Sequence, residues 1–351
     1  MSLLTDTIAA IKPLDKKAME AARIRQDNLT KPTGAMGRLE DLSIQLAGIQ
    51  GVANPQVNRK AFIVMAADHG VAADGTSAYP QEVTFQMLAN IAAGGAAIDV
   101  LSKQIGARVI AVDIGVKGDT SALPNIEHRK IAEGTKSLLR GPAMSREEAL
   151  KALETGIELV EAEYRKGLDI VGTGEMGIGN TTPSAAICAV MTGQPVAVVT
   201  GRGTGLDDKG LQRKVDVIEQ SLKLNKPAAG DALDVLSKVG GLEIGGLAGV
   251  ILGAAARRVA VMIDGYISGA AALIAAGLCP QSKDYMIAGH MSVEPGHRLL
   301  LEYLGLEPLI NLNLRLGEGT GGAIGMYLAE AACRILAEMA TFAEAGVSNK
   351  E

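Results

Sequence analysis

The stretch Ala61-Phe62-Ile63-Val64-Met65-Ala66-Ala67-Asp68-His69-Gly70-Val71 decides the fold. Its first seven residues are apolar without alternation. A strand with one face in water alternates, whereas an unbroken run suits a strand of a parallel sheet covered on both faces. The run ends on a polar pair and a glycine, where open α/β sheets hold ligands at the carboxyl ends of their strands. Similar runs recur at Arg108–Val112, ending on Asp113-Ile114-Gly115, and at Leu168–Val171 and Val196–Val199. Two more follow at Val259–Ile263, ending on Asp264-Gly265, and at Tyr285–Ala288, ending on Gly289-His290-Met291-Ser292. Helical patterns separate them. The order predicts an α/β fold, doubly wound around a mainly parallel sheet.

Helical periodicity also marks both ends of the chain. Residues 6–26 read as one helix despite Pro13, and Leu39, Leu42, Leu46 and Ile49 give a second its apolar face. The final pattern, Ala323–Phe342, can pair with these two in a smaller helical domain assembled from both chain ends. The expected divisions are 1–58 for the N-terminal part of that domain and 59–305 for the large α/β domain. Residues 306–351 supply an active-site loop and the C-terminal part. Ser145-Arg146-Glu147-Glu148 carries an N-cap and an acidic first turn before a long helix.

Composition narrows the function. The 351 residues carry a formal net charge of −5 and no stripe of Lys and Arg with interleaved aromatics, which argues against a nucleic-acid binder. Aromatics are only 3%, so small side chains line the core. Cys188, Cys279 and Cys333 lie far apart, without disulfide-framework or metal-ligand spacing. The N-terminus has no basic stretch followed by an apolar signal core. The most apolar later stretches carry glycine breaks or charges and are too short to span a bilayer. A cytoplasmic protein that uses no membrane is expected.

Three glycine-rich stretches are candidates for chemistry. Gly172-Thr173-Gly174-Glu175-Met176-Gly177-Ile178-Gly179-Asn180-Thr181-Thr182-Pro183 follows a strand; Thr182 reads as the N-cap of the next helix and Pro183 as its first residue. Free N–H groups at such a helix start can hold an anion. Gly201-Arg202-Gly203-Thr204-Gly205 precedes a helix bearing Lys209, Arg213 and Lys214, any of which can meet a phosphate or simply face water. Arg315-Leu316-Gly317-Glu318-Gly319-Thr320-Gly321-Gly322-Ala323 holds a carboxylate between glycines at a helix start. Gly172, Gly174 and Gly177 match G-x-G-x-x-G, but the match lies centrally and runs into a Thr-Thr-Pro cap, unlike a dinucleotide-binding unit. His69 can be a base, a ligand contact, or a structural partner of Asp68. Tyr79, Phe85 and Met87 can line an apolar ring pocket or pack in the core.

These motifs, with Ala66-Ala67-Asp68-His69-Gly70-Val71, closely resemble the nicotinate-nucleotide:dimethylbenzimidazole phosphoribosyltransferases of cobalamin biosynthesis, over nearly the whole chain. The resemblance implies transfer of ribose 5-phosphate from nicotinate mononucleotide to 5,6-dimethylbenzimidazole. The products are nicotinate and α-ribazole 5′-phosphate, used in assembling the nucleotide loop. It implies a homodimer with no cofactor and no metal. On the matching motifs Glu318 is the expected catalytic base. Glu175, Gly177, Ile178, Gly179, Asn180, Gly203 and Lys214 are expected nucleotide contacts, and Asp264, Gly265, Ser292 and Leu316 lie around the product. The position of Glu318 near a helix N-terminus predicts that it stays ionised. Two other classes remain to be separated. An NAD-dependent dehydrogenase would need a bound dinucleotide, and a noncatalytic nucleotide-binding regulator would have no need of Glu318.

Overall fold

The structure is a computed structural model, and it describes residues 2–348. Met1 and residues 349–351, at the outer edges of the expected small domain, lie outside the described residues.

Six strands form one parallel sheet: β1 (Lys60–Ala67), β2 (Ala107–Gly115), β3 (Ile126–His128), β4 (Ile170–Met176), β5 (Ala260–Ile263) and β6 (Met286–Ala288), in the order β3-β2-β1-β4-β5-β6. The order reverses between β1 and β4, so their carboxyl ends flank the crevice that doubly wound sheets use for ligands. All eight residues of β1 are buried, as its unbroken apolar run requires.

Helices α1 (Leu3–Ala10), α2 (Lys16–Asn28) and α3 (Arg38–Gln50) precede the sheet. Between β1 and β2 lie α4 (Val83–Ala92) and α5 (Ala97–Gln104), and α6 (Arg146–Arg165) leads to β4. Then come α7 (Thr181–Thr192), α8 (Val196–Val199), α9 (Asp208–Asn225), α10 (Ala232–Val239) and α11 (Leu242–Ala256) before β5. Beyond β5 are α12 (Tyr266–Leu278), α13 (Pro295–Leu304), α14 (Thr320–Glu338) and α15 (Phe342–Ala345).

Side chains along β1 alternate in direction, which assigns the two covering layers. Met65 lies against Gly246 of α11, whereas Phe62, on the opposite face, lies against Gly319 and Gly322 at the start of α14. Glycine makes both approaches possible. The same holds between α6 and α11, where a Cβ on Gly156 would stand 1.9 Å from the Gly246 carbonyl oxygen, and one on Gly249 would stand 1.9 Å from that of Leu153. The chain ends meet as well. Ala22 of α2, Ile44 and Ala47 of α3 and Leu336 of α14 form a cluster, and Arg25 donates to the carbonyls of Leu336, Ala337 and Met339. Leu42, Leu46 and Ile49 of α3 join the main core instead.

Several expectations are corrected. Val196–Val199 is a short helix, not a strand: Val196 and Val199 are buried while Ala197 and Val198 are exposed, the i, i+3 pattern of one helical turn. A four-residue apolar run does not carry its own period. Residues 6–26 form two helices, since the chain leaves α1 after Ala10 and restarts with Asp15 capping Lys17 and Ala18. Strand β4 continues through Gly174 and Glu175 to Met176, so the glycine-rich stretch from Gly172 begins on the sheet rather than in a loop. The segment Val83–Gln104 is long and apolar enough in composition to cross a bilayer. It is broken at Gly94 (φ 77°) into α4 and α5, of 10 and 8 residues, each too short to span.

The α6–α11 contact yields a stability prediction. An exposed helical Gly→Ala change gains about 1 kcal/mol of helix propensity. At Gly249 the new methyl meets the Leu153 carbonyl, so Gly249→Ala should instead lose about 1–3 kcal/mol through overpacking. Gly230→Ala, in a turn with nothing within 4 Å, is the control for losing a glycine without a clash. Urea unfolding of both variants decides, and a Gly249→Ala protein more stable than the parent would contradict this packing.

Candidate active site

A narrow cleft opens at the carboxyl ends of β4, β5 and β6. Glu175, Gly177, Ile178 and Asn180 form one wall, Asp264, Gly265, His290 and Ser292 another, and Gly203, Leu316 and Gly317 close over them. Nine of the positions expected from sequence therefore line one place. The enclosed free space is about 90 Å³, below the ~300 Å³ at which small-molecule sites begin, so a nucleotide requires the cleft to widen. Arg315 spans it, donating to the Gly203 carbonyl at 3.2 Å.

The loop at the cleft's edge is held in an unusual backbone state. Gly317, Glu318 and Gly319 have φ of 86°, 62° and 102°, three successive residues in the left-handed region. Glycine accepts this freely, whereas an L side chain there costs on the order of 1–2 kcal/mol. Glu318 thus sits in a strained position that its surroundings must enforce. One such constraint is Gly174 of β4, where a Cβ would stand 2.3 Å from the Glu318 carbonyl oxygen. Another is Asp264, whose Oδ2 accepts from Gly319 N–H at 3.3 Å and Oδ1 from Gly322 N–H at 2.8 Å. The start of α14 is therefore satisfied by the protein's own carboxylate and does not offer a free anion site.

Glu318 itself is buried, with 2% of its surface exposed. Its Oε2 accepts from Ile98 N–H at 3.4 Å, at the start of α5 rather than of its own helix. The sequence predicts an ionised group. Burial instead raises the carboxyl above its ordinary range, opposed by the amides of Ile98 and Ala97 and reinforced by Asp99 and Asp264. The Glu318 side chain is not among the groups lining the cleft.

Glu175 is the carboxylate that does line it. Its Oε2 accepts from the Asn180 amide. Full burial, with Asp264 and Glu243 nearby, pushes its pKa up to about 8, while the Asn180 and Glu318 N–H donors pull the other way. Asp264 is raised by burial too, with His290 Nε2 at 3.7 Å and the α14 amides opposing that shift. The cleft thus concentrates acids that bind protons more tightly than free ones do.

Lys214 is completely buried below the cleft. Its Nζ donates to Thr181 Oγ1 at 2.7 Å and to the Gly201 carbonyl at 3.1 Å, tying the start of α7 to the Gly201–Gly205 turn. Burial lowers its pKa to about 8, and Glu294 opposes that. Glu294 also accepts from Gly203 N–H at 3.0 Å, a contact the sequence reading missed because 91 residues separate the partners. The N-cap of α7 is Asn180 rather than Thr182, which puts Pro183 at its third position. Gly179, with φ 91°, packs on Ala72 and shapes the turn from behind.

The expected ring pocket is not gathered here. Tyr79 is 53% exposed. Phe85 and Met87 lie half-buried against the main core, and Phe85 borders a separate depression with Asp68, Gln81 and Lys117. The nearest link from α4 is Thr84, whose hydroxyl accepts from Ile178 N–H at 3.1 Å. His69 pairs with Glu243 at 2.7 Å, not with Asp68. Among the described residues no group of three or more His, Cys, Asp and Glu side chains is placed to hold a metal ion.

Comparison with known proteins identifies this arrangement. A family described as Phosphoribosyltransferase matches residues 11–347. The chain is 60% identical over 348 residues to the nicotinate-nucleotide–dimethylbenzimidazole phosphoribosyltransferase of Desulforudis audaxviator, covering 99% of each chain. It is equally 60% identical to the protein of that name from Chloroflexus aggregans, over 100% of this chain and 99% of the relative. The crystal structure of the Thermus thermophilus protein of that name superimposes with a TM-score of 0.91 at 44% identity, covering 96% of this chain and all of the other. With full-length identity, the fold and a cleft built from the motif residues in agreement, the chain belongs to the nicotinate-nucleotide–dimethylbenzimidazole phosphoribosyltransferase family.

Proposed function

We propose that the chain catalyses its family's reaction, moving ribose 5-phosphate from nicotinate mononucleotide to 5,6-dimethylbenzimidazole and releasing nicotinate and α-ribazole 5′-phosphate for the cobalamin lower ligand. The observation that carries the reading is the meeting of Glu175, the Gly177–Asn180 turn, Gly203 and Asp264 in one cleft, directly under the Gly317–Gly319 loop.

In this reading the phosphate lies against the Gly177–Thr181 turn and Gly203. Lys214 lends charge from beneath Thr181 and Gly201, and holds both turns in register. Because the phosphate does not react, its binding energy serves to orient ribose C1. The free lone pair of one benzimidazole nitrogen forms the new bond to C1 from the face opposite nicotinate, which inverts the β linkage to α. The C1–nitrogen bond pair leaves with nicotinate, neutralising its pyridinium. The proton on the second benzimidazole nitrogen passes to a carboxylate, and Glu318 is the proposed acceptor. Buried acids around C1 also favour the positive charge that develops there.

A second assignment of the base has its own support: Glu175 lines the cleft and Glu318 does not. Purified Glu318→Gln and Glu175→Gln proteins, assayed chromatographically for nicotinate and α-ribazole 5′-phosphate at saturating substrates, separate the two. With Glu318 as base, Glu318→Gln loses about 10²–10⁴-fold in kcat with little change in KM. Near-parental turnover of that variant, beside a collapse in Glu175→Gln, moves the role to Glu175. Failure of the parent enzyme to form either product would remove the reaction itself.

Lys214→Ala should weaken nicotinate mononucleotide binding more than it lowers kcat, as calorimetry and kinetics would register; an unchanged affinity contradicts its role. The raised Glu175 pKa also carries a pH signature. The unfolded chain releases this proton near 4.5, while the folded chain keeps it to about 8, so stability falls as pH rises through that interval. Glu175→Gln should therefore show a higher Tm than the parent at pH 8 and a smaller difference at pH 4.5. A gap that does not grow with pH would contradict the burial argument. The family resemblance further supports a homodimer acting in the cytoplasm, where the three buried free thiols stay reduced.

A further inference from the structure

The buried pair His69–Glu243 has no part in the reaction as described, yet it packs behind Gly177 in the cleft wall. His69 follows β1, and Glu243 is in the first turn of α11. His69 Nε2 and Glu243 Oε1 lie 2.7 Å apart, with exposures of 1% and 0%. Glycines enclose the pair. A Cβ on Gly177, in the cleft wall, would stand 3.2 Å from His69 Nε2. One on Gly241 would stand 2.5 Å from His69 Cε1 and 2.6 Å from Glu243 Oε2. Neither Glu243 Oε2 nor His69 Nδ1 has a hydrogen-bond partner among the described residues. Burying a carboxylate and an imidazole in this way costs more than an apolar pair of similar volume would, so the contact calls for a reason other than stability.

Electrostatics supplies the link to the reaction. Glu243 is one of two carboxylates whose charge acts on Glu175, the other being Asp264, which has His290 beside it. The remaining groups facing Glu175 are the Asn180 amide and the Glu318 backbone N–H. On its own side, His69 is faced by Glu243 and influenced by Asp68, with the neutral peptide at Thr135 bridged to its backbone. We propose that His69 and Glu243 are positioning residues that set the protonation of Glu175: Glu243 places a negative charge behind the Gly177 turn, and His69 fixes and moderates it through their hydrogen bond. The inference rests on the phosphoribosyltransferase reading above and deepens it.

Two conservative variants of the full-length enzyme push in opposite directions. Glu243→Gln keeps a hydrogen-bonding partner for His69 but removes the charge. His69→Gln keeps a donor to Glu243 but removes the group that can carry the compensating proton. Glu175 is read directly by NMR of protein labelled with carboxyl-¹³C glutamate, its signal assigned by loss in Glu175→Gln, and kcat/KM is measured over the same pH range. Glu243→Gln should lower the Glu175 midpoint and His69→Gln should raise it, each by at least ~0.5 pH unit, about a threefold change in proton affinity. A purely structural pair would lower Tm or kcat without opposed shifts, and absent or same-direction shifts overturn the proposal. If only one variant folds, the direction of its shift decides; if neither folds, the pair is a folding element and the proposal falls. Opposed NMR shifts with an unchanged kcat/KM profile support the positioning role and exclude Glu175 as the base, so the two readings fail separately.

Discussion

The site depends on an absence of side chain at Gly174. Strand β4 is central in the sheet, and its residues Gly172 and Gly174 leave room on the face that meets Phe62 and the C-terminal loop. Any Cβ at 174 would strike the Glu318 carbonyl. With that space open, residues near the end of the chain lie on the sheet beside Glu175, and Asp264 anchors them through two α14 amides. Sequence distance is thereby converted into a compact site: the ends of β4, β5 and β6 supply its walls, and Gly203, Leu316 and Gly317 close over them. The left-handed φ of Glu318 follows from this anchoring, since the loop must turn within three residues between the cleft edge and the helix start.

The electrostatic character of the site follows from the same burial. Glu175, Asp264 and Glu318 are all raised by desolvation, and Glu175 and Glu318 also by neighbouring carboxylates. A cluster of acids that holds protons tightly is unfavourable in the empty protein and favourable around a developing cation. The chemistry of a ribosyl transfer provides that cation at C1, and the donor nucleotide brings a pyridinium into the same space. Lys214 is separated from this cluster and lies under the Thr181 and Gly201 turns. In the proposed reading this divides the cleft into an acidic end for the reacting carbon and an end with buried Lys214 for the phosphate.

Much of this is legible along the chain because it is local. The unbroken run at 61–67 specifies a strand covered on both faces. Ser145 and Glu148 specify the capping box that the structure contains, with Ser145 Oγ accepting from Glu148 N–H and Glu148 Oε2 from Ser145 N–H. The glycine motifs locate the cleft through their order and flanking residues. What the sequence hides is partner choice across long separations. Nothing near His69 points to Glu243, 174 positions away. Nothing near Glu318 points to the amide of Ile98, 220 positions away. A helix start favours an ionised acid most while the acid remains solvated, and burial at Glu318 works against that tendency. Val196–Val199, which reads as a strand, is a helical turn for a different reason, as four apolar residues are too few to carry either period.

The central claim is that the cleft beneath the Gly317–Gly319 loop is where the nucleotide reacts. A crystal structure of the enzyme with bound α-ribazole 5′-phosphate tests it most directly. The account predicts the phosphate against the Gly177–Thr181 turn and Gly203. It also predicts a Glu318 or Glu175 carboxylate oxygen within ~3 Å of the ring nitrogen that carried the proton, the ordinary reach of a hydrogen bond. Product bound at another surface, or lying in the cleft with its phosphate toward the carboxylates, would contradict it.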